Sequence, residues 1–309
     1  YYPNSIDFIH NSIHIDNASY SGSRTLEESN GSNNTMYNNI FANSSSGYAL
    51  YLQSSTSFKK SDYNDFYSNS SNLAYFGGTI VSDLNSWKNT TKFDSNSLSV
   101  NPSFKSKSDL HVKEVSLNGA AKYFKSVPLD FDSEKRDTLK PDIGADEFTL
   151  PPNDAGISKV IIPNKPFPAD SQFVKVVLKN FGGNPLYIVD LAWKFNGVSQ
   201  TTYKWADTLL SGDTVHIKLA KKLFTRGTPY SIKVWTSQPN GTGDSINNND
   251  TIEALNQYPA LSGIYTIGGS SPDFSTLVDA VTAIKQGGII DSVRFDIRSG
   301  TYYEKISIP

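Results

Sequence analysis

The sequence predicts an all-β chain in three parts: closing coils of a parallel β-helix over 1–150, a β-sandwich over 151–257, and a helix-capped β segment over 258–309. Three observations predict this. A phrase of ring residue, Asn and bulky apolar residue recurs in the first half. Short stretches of period-two alternation, split by Gly, Asn and Pro turn phrases, fill much of the second half. One amphipathic helical pattern precedes the last strands.

The repeat reads "HNSIHIDN" from His10, "YNNIFANS" from Tyr37 and "YNDFYSNS" from Tyr63, so the starts lie 27 and 26 residues apart. Self-similarity at such a period marks a solenoid, in which each repeat buries its apolar face only against its neighbours. Three strands of about five residues plus turns account for one coil of a three-sided parallel β-helix. Aligning the copies puts Asn11, Asn38 and Asn64 in one column and Ile13, Ile40 and Phe66 in another. Stacked amides can donate and accept along the axis while holding a tight turn. "GYALYL" (47–52) supplies a further alternating strand between two copies.

Composition narrows the function classes. The chain has 309 residues and a formal net charge of −2, with pI near 6.1, so nothing in the total charge points to nucleic acid or an anionic membrane as partner. No apolar run reaches the roughly 18 residues of a membrane-spanning helix. Without Cys, disulfides, thiolate nucleophiles and Cys-ligated metals are excluded, and four His with one Met do not suggest a His-rich metal site. Abundant Ser, Asn and Thr with 17 Tyr and 17 Phe suit a β-rich secreted or cell-surface protein. The opening "YYPNSIDFIH" reads like the middle of a fold, so we expect a larger parent protein.

"LSVNPSFKSKSDLHVKEVSLNGAA" (98–121) and "DFDSEKRDTLKPDIGADEF" (130–148) carry a specific signal. Asn101-Pro102, Asp109-Leu110-His111 and Pro141-Asp142-Ile143-Gly144-Ala145-Asp146-Glu147 resemble the closing phrase of bacterial right-handed parallel β-helix proteins. The departures are Asn101 for Asp, Leu117 for Pro and Ser133 for the usual Gly. The resemblance implies a pectate-lyase-like right-handed coil over 1–148. Within the phrase, Arg136, Asp142, Asp146 and Glu147 read either as a Ca²⁺ or substrate site or as an Arg–carboxylate clasp, with Asp142 or Asp146 as the expected partner.

After "LPPNDAGISKVIIP", whose two prolines make a short stiff linker, "FVKVVLKN" and "VHIKLA" alternate with period two. Turn phrases between such strands predict a sandwich with Trp193 or Trp235 in its core. The order "NFGGNPL", "WKFNGV", "LLSGDTVHI", "YSIKVWT", "NNND" is similar to the Ig-like modules called CARDB over roughly 153–256. That resemblance implies a spacer or adhesive unit and neighbouring modules in the same chain. In "SSPDFSTLVDAVTAIKQGG", Phe274, Leu277, Val281 and Ile284 share a helical face, Ser271 offers an N-cap and Gly287 a stop. With "SVRFDIRSGTYYEKISIP" this resembles the start of a second β-helix.

Candidate chemistry is sparse. Asp62 and Asp65 are the coil acids that could face one side, yet no second acid or Arg recurs in their columns, so no catalytic residue is assigned. His10, His14 and His111 lack clustered partners in the sequence and read as structural. Asp244, Asn247, Asn249 and Asp250 in "GTGDSINNND" gather hard oxygen donors that suit Ca²⁺, without the EF-hand Gly and Glu; a polar turn is the other reading. Tyr48, Tyr51, Tyr75, Phe76 and Trp87 offer sugar-stacking faces or core rings. Asp-Ser/Thr-aliphatic triplets, among them Asp207-Thr208-Leu209 and Asp244-Ser245-Ile246, are similar to the O-glycosylation acceptor of exported Bacteroidota proteins. These features predict a non-catalytic adhesin stalk or carbohydrate-facing scaffold, with a polysaccharide or cell-surface glycan as partner. The rival reading is an accessory part of a polysaccharide lyase or glycoside hydrolase whose active coils lie upstream.

Overall fold

Three parallel sheets wrap the first part of the chain, each taking one strand per coil. The first coil holds β1 (Asp7–Ile9), β2 (Ser12–Ile15) and β3 (Arg24–Glu28); the second holds β4 (Asn34–Tyr37), β5 (Ile40–Asn43) and β6 (Tyr48–Leu52). The third holds β7 (Phe58–Asp62), β8 (Asp65–Ser68) and β9 (Ala74–Phe76). The ladders β1–β4–β7, β2–β5–β8 and β3–β6–β9 give solenoid-like stacking. β10 (Thr79–Val81) folds back antiparallel on β9, and α1 (Leu84–Thr91) follows, N-capped by the Asp83 carboxylate. The computed structural model describes residues 5–16, 22–244 and 246–307, in two units, Tyr1–Leu150 and Pro151–Pro309.

The observed register corrects the expected columns by one residue in the second coil. Ile13, Phe41 and Phe66 share a column, and Ser12, Ile40 and Asp65 share the next. The asparagine column is therefore Asn11, Asn39 and Asn64. Asn11 donates to Asn39 Oδ1 from both its backbone N (3.0 Å) and Nδ2 (2.8 Å). Asn39 donates to Asn64 Oδ1 in the same way, at 2.9 and 3.0 Å. Asn38 instead joins His10 and Tyr63 in the left-handed region, with φ of 60°, 57° and 59°. These residues turn the corner, and the ladder residue after each fastens it. Two adjacent asparagines in the second copy hid the shift.

Side chains alternate across each strand, so one face of β5 points into the coil and the other away from it. Phe41 and Phe66 stack inside at 6.1 Å with Met36, Leu50, Leu52 and Trp87. Ile40 and Ala42 face out, yet they are buried too, because the closing segment lies across them and adds Val112, Leu117, Ala121 and Ile143. This segment has little regular structure but many fixed contacts with the coils. Val100 N donates to Asp65 Oδ1 (2.9 Å), Lys122 N to Asn38 Oδ1 (3.0 Å), and Ala145 N to Ser12 Oγ (2.9 Å). Gly144, at φ 109°, passes so close that a Cβ would lie 2.6 Å from Ile40 Cδ1, which explains the glycine in "DIGA".

In the second unit, β11 (Ala155–Ile162), β12 (Ser171–Asn180), β13 (Leu186–Phe195), β14 (Val198–Ser199), β15 (Tyr203–Leu209), β16 (Thr214–Leu223), β17 (Tyr230–Ser237) and β18 (Thr251–Gln257) form two antiparallel sheets. One sheet runs β11–β12–β16; the other runs β14–β13–β17–β18, with β15 also on β13. One core joins them, built from Val174, Val176, Leu178 and Ile217 on one side and Leu191, Trp193, Ile232 and Val234 on the other. Trp193 takes the expected core position with Trp205, whereas Trp235 is only half-buried.

The tail forms a β–α–β unit: β19 (Leu261–Ile267), α2 (Leu277–Gly287) and β20 (Ile289–Ile297), with the strands parallel. The N-cap of α2 is Thr276, whose side chain accepts from Asp279 N (3.0 Å), rather than Ser271, which sits at φ 48° well before the helix. Phe274 is not on the helical face; its ring packs between Tyr265 and Phe295.

The amide ladder makes a direct prediction. Asn39→Ala removes donors and acceptors at a fully buried position and should cost about 2–4 kcal/mol, since buried partners are left unsatisfied. Exposed Asn11→Ala should cost well under half as much. Denaturant unfolding of the two variants checks the order.

Candidate cation site and sealed acids

The loop between β17 and β18 returns to the start of β11, where Gly156 lets it approach: a Cβ there would lie 2.4 Å from Asn249 O. The approach brings Asp244 and Asp250 together with Asp154, their nearest carboxylate oxygens lying within 4.8 Å of one another. Asp154 was not among the sequence candidates. It stands far upstream, beside the proline linker, and only the β11–β17 neighbourhood places it here. Asn249 Nδ2 donates to both Asp154 oxygens, at 2.9 and 3.2 Å. Asp244 Oδ2 accepts from Ala155 N (3.1 Å) and its Oδ1 from Ile246 N (3.0 Å). Asn249 Oδ1 and Asp250 Oδ1 are buried with no hydrogen-bond partner among the described residues. Asn247, the fourth candidate, is exposed and makes no hydrogen bond to this group among the described residues. Ser245, in one acceptor-like triplet, lies outside them.

Burial pushes the Asp154 carboxyl up to about 6, and the Asp244 and Asp250 charges push it the same way. Asp250 is likewise raised to about 6, first by burial and then by Asp244. Three carboxylates so arranged repel one another as anions, and with the amide oxygen they offer the hard oxygen set of a divalent cation.

The coil acids behave differently. Asp65 is fully buried beneath the closing segment, and burial pushes its carboxyl up to about 8. Asp62 accepts from Asn96 N and Nδ2, both at 2.8 Å. A sealed acid and a loop-fastening one do not make a catalytic pair open to substrate. Trp87 is also sealed, donating to Asp94 at 2.7 Å, and Phe76 packs edge-on against it. Tyr51 is covered on one face by Tyr75 at 4.4 Å and by the Arg24 guanidinium at 3.5 Å, so its ring is not an open sugar platform.

In the closing phrase, Arg136 does form a clasp, but with Glu147 (3.2 Å) and the carbonyls of Gly144 (3.2 Å) and Ala145 (2.9 Å). The expected partners are occupied elsewhere: Asp142 accepts from Gly119 N (2.6 Å) and Phe148 N (2.7 Å), and Asp146 from Val112 N (3.1 Å). His111, expected to lack clustered partners, lies between Asp109 and Asp132 on a cleft of about 490 Å³ that Asp146 also lines. Hydrogen bonds to Asp109 and Asp132 raise its pKa, and His111 in turn holds Asp109 near 2. His10 is structural, buried between Gly144 O and Asn38, with burial lowering it to about 4.

No family model matches the chain, and no curated protein matches it. Among solved structures it is similar to a CARDB domain from Pyrococcus furiosus, solved in complex with di-metal ions. That likeness has 16% identity and a TM-score of 0.28, over 36% of this chain and 93% of that one. It is also similar to a domain of a Methanosarcina acetivorans protein provisionally named a cell surface protein, at 17% identity and a TM-score of 0.27, over 35% of this chain and 88% of that one. No helix among the described residues is long and apolar enough to cross a membrane.

Two outcomes follow from these buried groups. Asp65 ionises near 3.8 in its ordinary state but near 8 in the fold, so the stability its neutral form provides is complete below about pH 4 and lost as pH rises through about 8. Asp65→Asn should therefore melt above the parent chain at pH 9 and close to it at pH 4. Arg136→Ala should lower stability by about 3–5 kcal/mol by leaving Glu147 unpaired, and Arg136→Lys, lacking the planar fork, should recover only part of that. Thermal and denaturant melts read both.

Proposed function

We propose that this chain is a non-catalytic stalk segment of a large modular protein, secreted or held at the cell surface. In this reading the coils belong to a right-handed, pectate-lyase-like β-helix, the sandwich is an Ig-like CARDB module, and the tail begins a second β-helix. The assembly faces glycans as a scaffold or adhesive unit, and Ca²⁺ locks the sandwich. The observation that carries the reading is how the acids are used. In the coils Asp65 fastens the closing segment and Asp62 the loop before it, and in the sandwich Asp154, Asp244 and Asp250 converge with unsatisfied oxygens beside them. Asp244, Asp250 and Asn249 would hold the cation with Asp154, and it would link the β17–β18 loop to the first strand.

Calcium melts test the lock. Added Ca²⁺ should raise the melting temperature of the second unit, and more so above pH 6, where Asp154 and Asp250 ionise, than at pH 5. Without the cation the sign reverses: raised carboxyl pKa values mean stability is lost as pH climbs from about 4 through 6. Asp250→Asn should remove the calcium response. No response in the parent chain at pH 7.5 would sink the cation reading. Steady release of reducing ends or unsaturated products from polysaccharides would sink the non-catalytic one.

A further inference from the structure

The formal net charge of −2 conceals a segregated surface. Val174, Val176, Leu178 and Ile217 take the inner face of the β11–β12–β16 sheet, so Phe173, Lys175, His216 and Lys218 fall on the outer one. A register shift in β16 brings Lys221 opposite Phe173 on that face, and exposed Lys159 lies opposite Val177. None of the three strands contains an acidic residue. Lys175 is directly opposite Lys218, and Val177 lies between Lys159 and His216. Same-face rows stand about 7 Å apart along a strand. The ammonium groups of Lys218 and Lys221 lie 5.9 and 5.6 Å from the Phe173 ring centroid. Among the described residues, Lys159, Lys175, Lys218 and Lys221 form no ion pair with a carboxylate.

Like charges directly opposite one another weaken a sheet. This face therefore holds cations together at a cost that a bound polyanion would offset. We propose that it binds an acidic polysaccharide, a chain of sugars bearing carboxylate or sulfate groups. The proposal rests on the glycan-facing reading above and names the glycan class. Successive anionic groups meet the lysine rows, and the Phe173 ring supplies an apolar floor for a sugar's C–H face. The face is a sheet surface that carries no helix, and duplex DNA is one of the outcomes tested below. Phe173, 36% exposed with Lys218 and Lys221 beside its ring, is too shallow to anchor in a bilayer.

Binding of the full chain to polygalacturonate, dextran sulfate, neutral dextran, duplex DNA and phosphatidylserine vesicles tests this. We expect retention by polygalacturonate or dextran sulfate at about 20 mM salt and release at about 0.5 M, as screening shortens; the preferred polymer separates carboxylate from sulfate. Lys175→Glu combined with Lys218→Glu should weaken binding at least about tenfold without changing the melt, while Lys204→Glu on the other sheet should not. Undiminished binding by the double variant, equal binding to neutral dextran, or tighter binding to DNA or vesicles would overturn the proposal. Equal retention by neutral dextran would overturn the acidic class while keeping the glycan-facing reading, and retention by no polymer would overturn both, so the two failures are distinguishable.

Discussion

The stacked amides of Asn11, Asn39 and Asn64 set the geometry on which the coil unit depends. The Asn39 and Asn64 amide oxygens each receive two N–H groups from the coil before, and these two side chains also donate to the backbone carbonyls of Phe8 and Met36. The corner must place His10, Asn38 and Tyr63 in the left-handed region, which costs a non-glycine residue energy. The amide bonds offset that cost and fix the register of the neighbouring ladder. Because side chains alternate, that register decides which residues fill the coil and which are left outside. It puts Phe41 and Phe66 inside and Ile40 outside, creating an apolar outer face that the closing segment must cover.

Much of this was legible in the sequence for physical reasons, and the gaps have physical reasons too. The repeat announced a solenoid because every coil must solve the same corner. It could not reveal that the second coil begins one residue later, since Asn38 and Asn39 satisfy the same pattern. The closing phrase was recognisable, yet the partner of Arg136 was not, because Asp142, Asp146 and Glu147 are all nearby carboxylates and the turns of the backbone select among them. Asp154 was invisible as a site residue because nothing in a linear chain marks two loops as neighbours. The α2 start was misplaced for a simpler reason: Ser271 before proline and Thr276 are both good caps, and the turn that carries Phe274 intervenes.

Charge shows the same limit of averaging. Composition gives only the total, which points to neither nucleic acid nor an anionic membrane. The alternation in "FVKVVLKN" and "VHIK" sets Lys175 and Lys218 on the face opposite Val174, Val176, Leu178 and Ile217. What the sequence lacked was the pairing of β12 with β16, which sets Lys175 opposite Lys218. A near-neutral chain can thus carry a strongly basic sheet face, with its acids committed to turns, caps and a cation-like cluster elsewhere.

Counting donors separates those acids by role. Asp94 is buried and raised by that burial, yet it accepts from Ser61, Asn64, Ser97 and Trp87, so its oxygens are fully used in joining α1 to the coils. Asp142, raised to about 7, accepts from two backbone amides and is a clamp of the closing segment. Buried oxygens with such partners have no need of a ligand. At the sandwich entrance the accounting does not close: Asp250 Oδ1 and Asn249 Oδ1 have no donor among the described residues while three carboxylates face one another. Folding has desolvated these groups without giving them protein partners. Asp65 Oδ2 and both Glu28 carboxylate oxygens are also buried without a donor among the described residues, so what sets this cluster apart is three carboxylates converging with unsatisfied oxygens beside them.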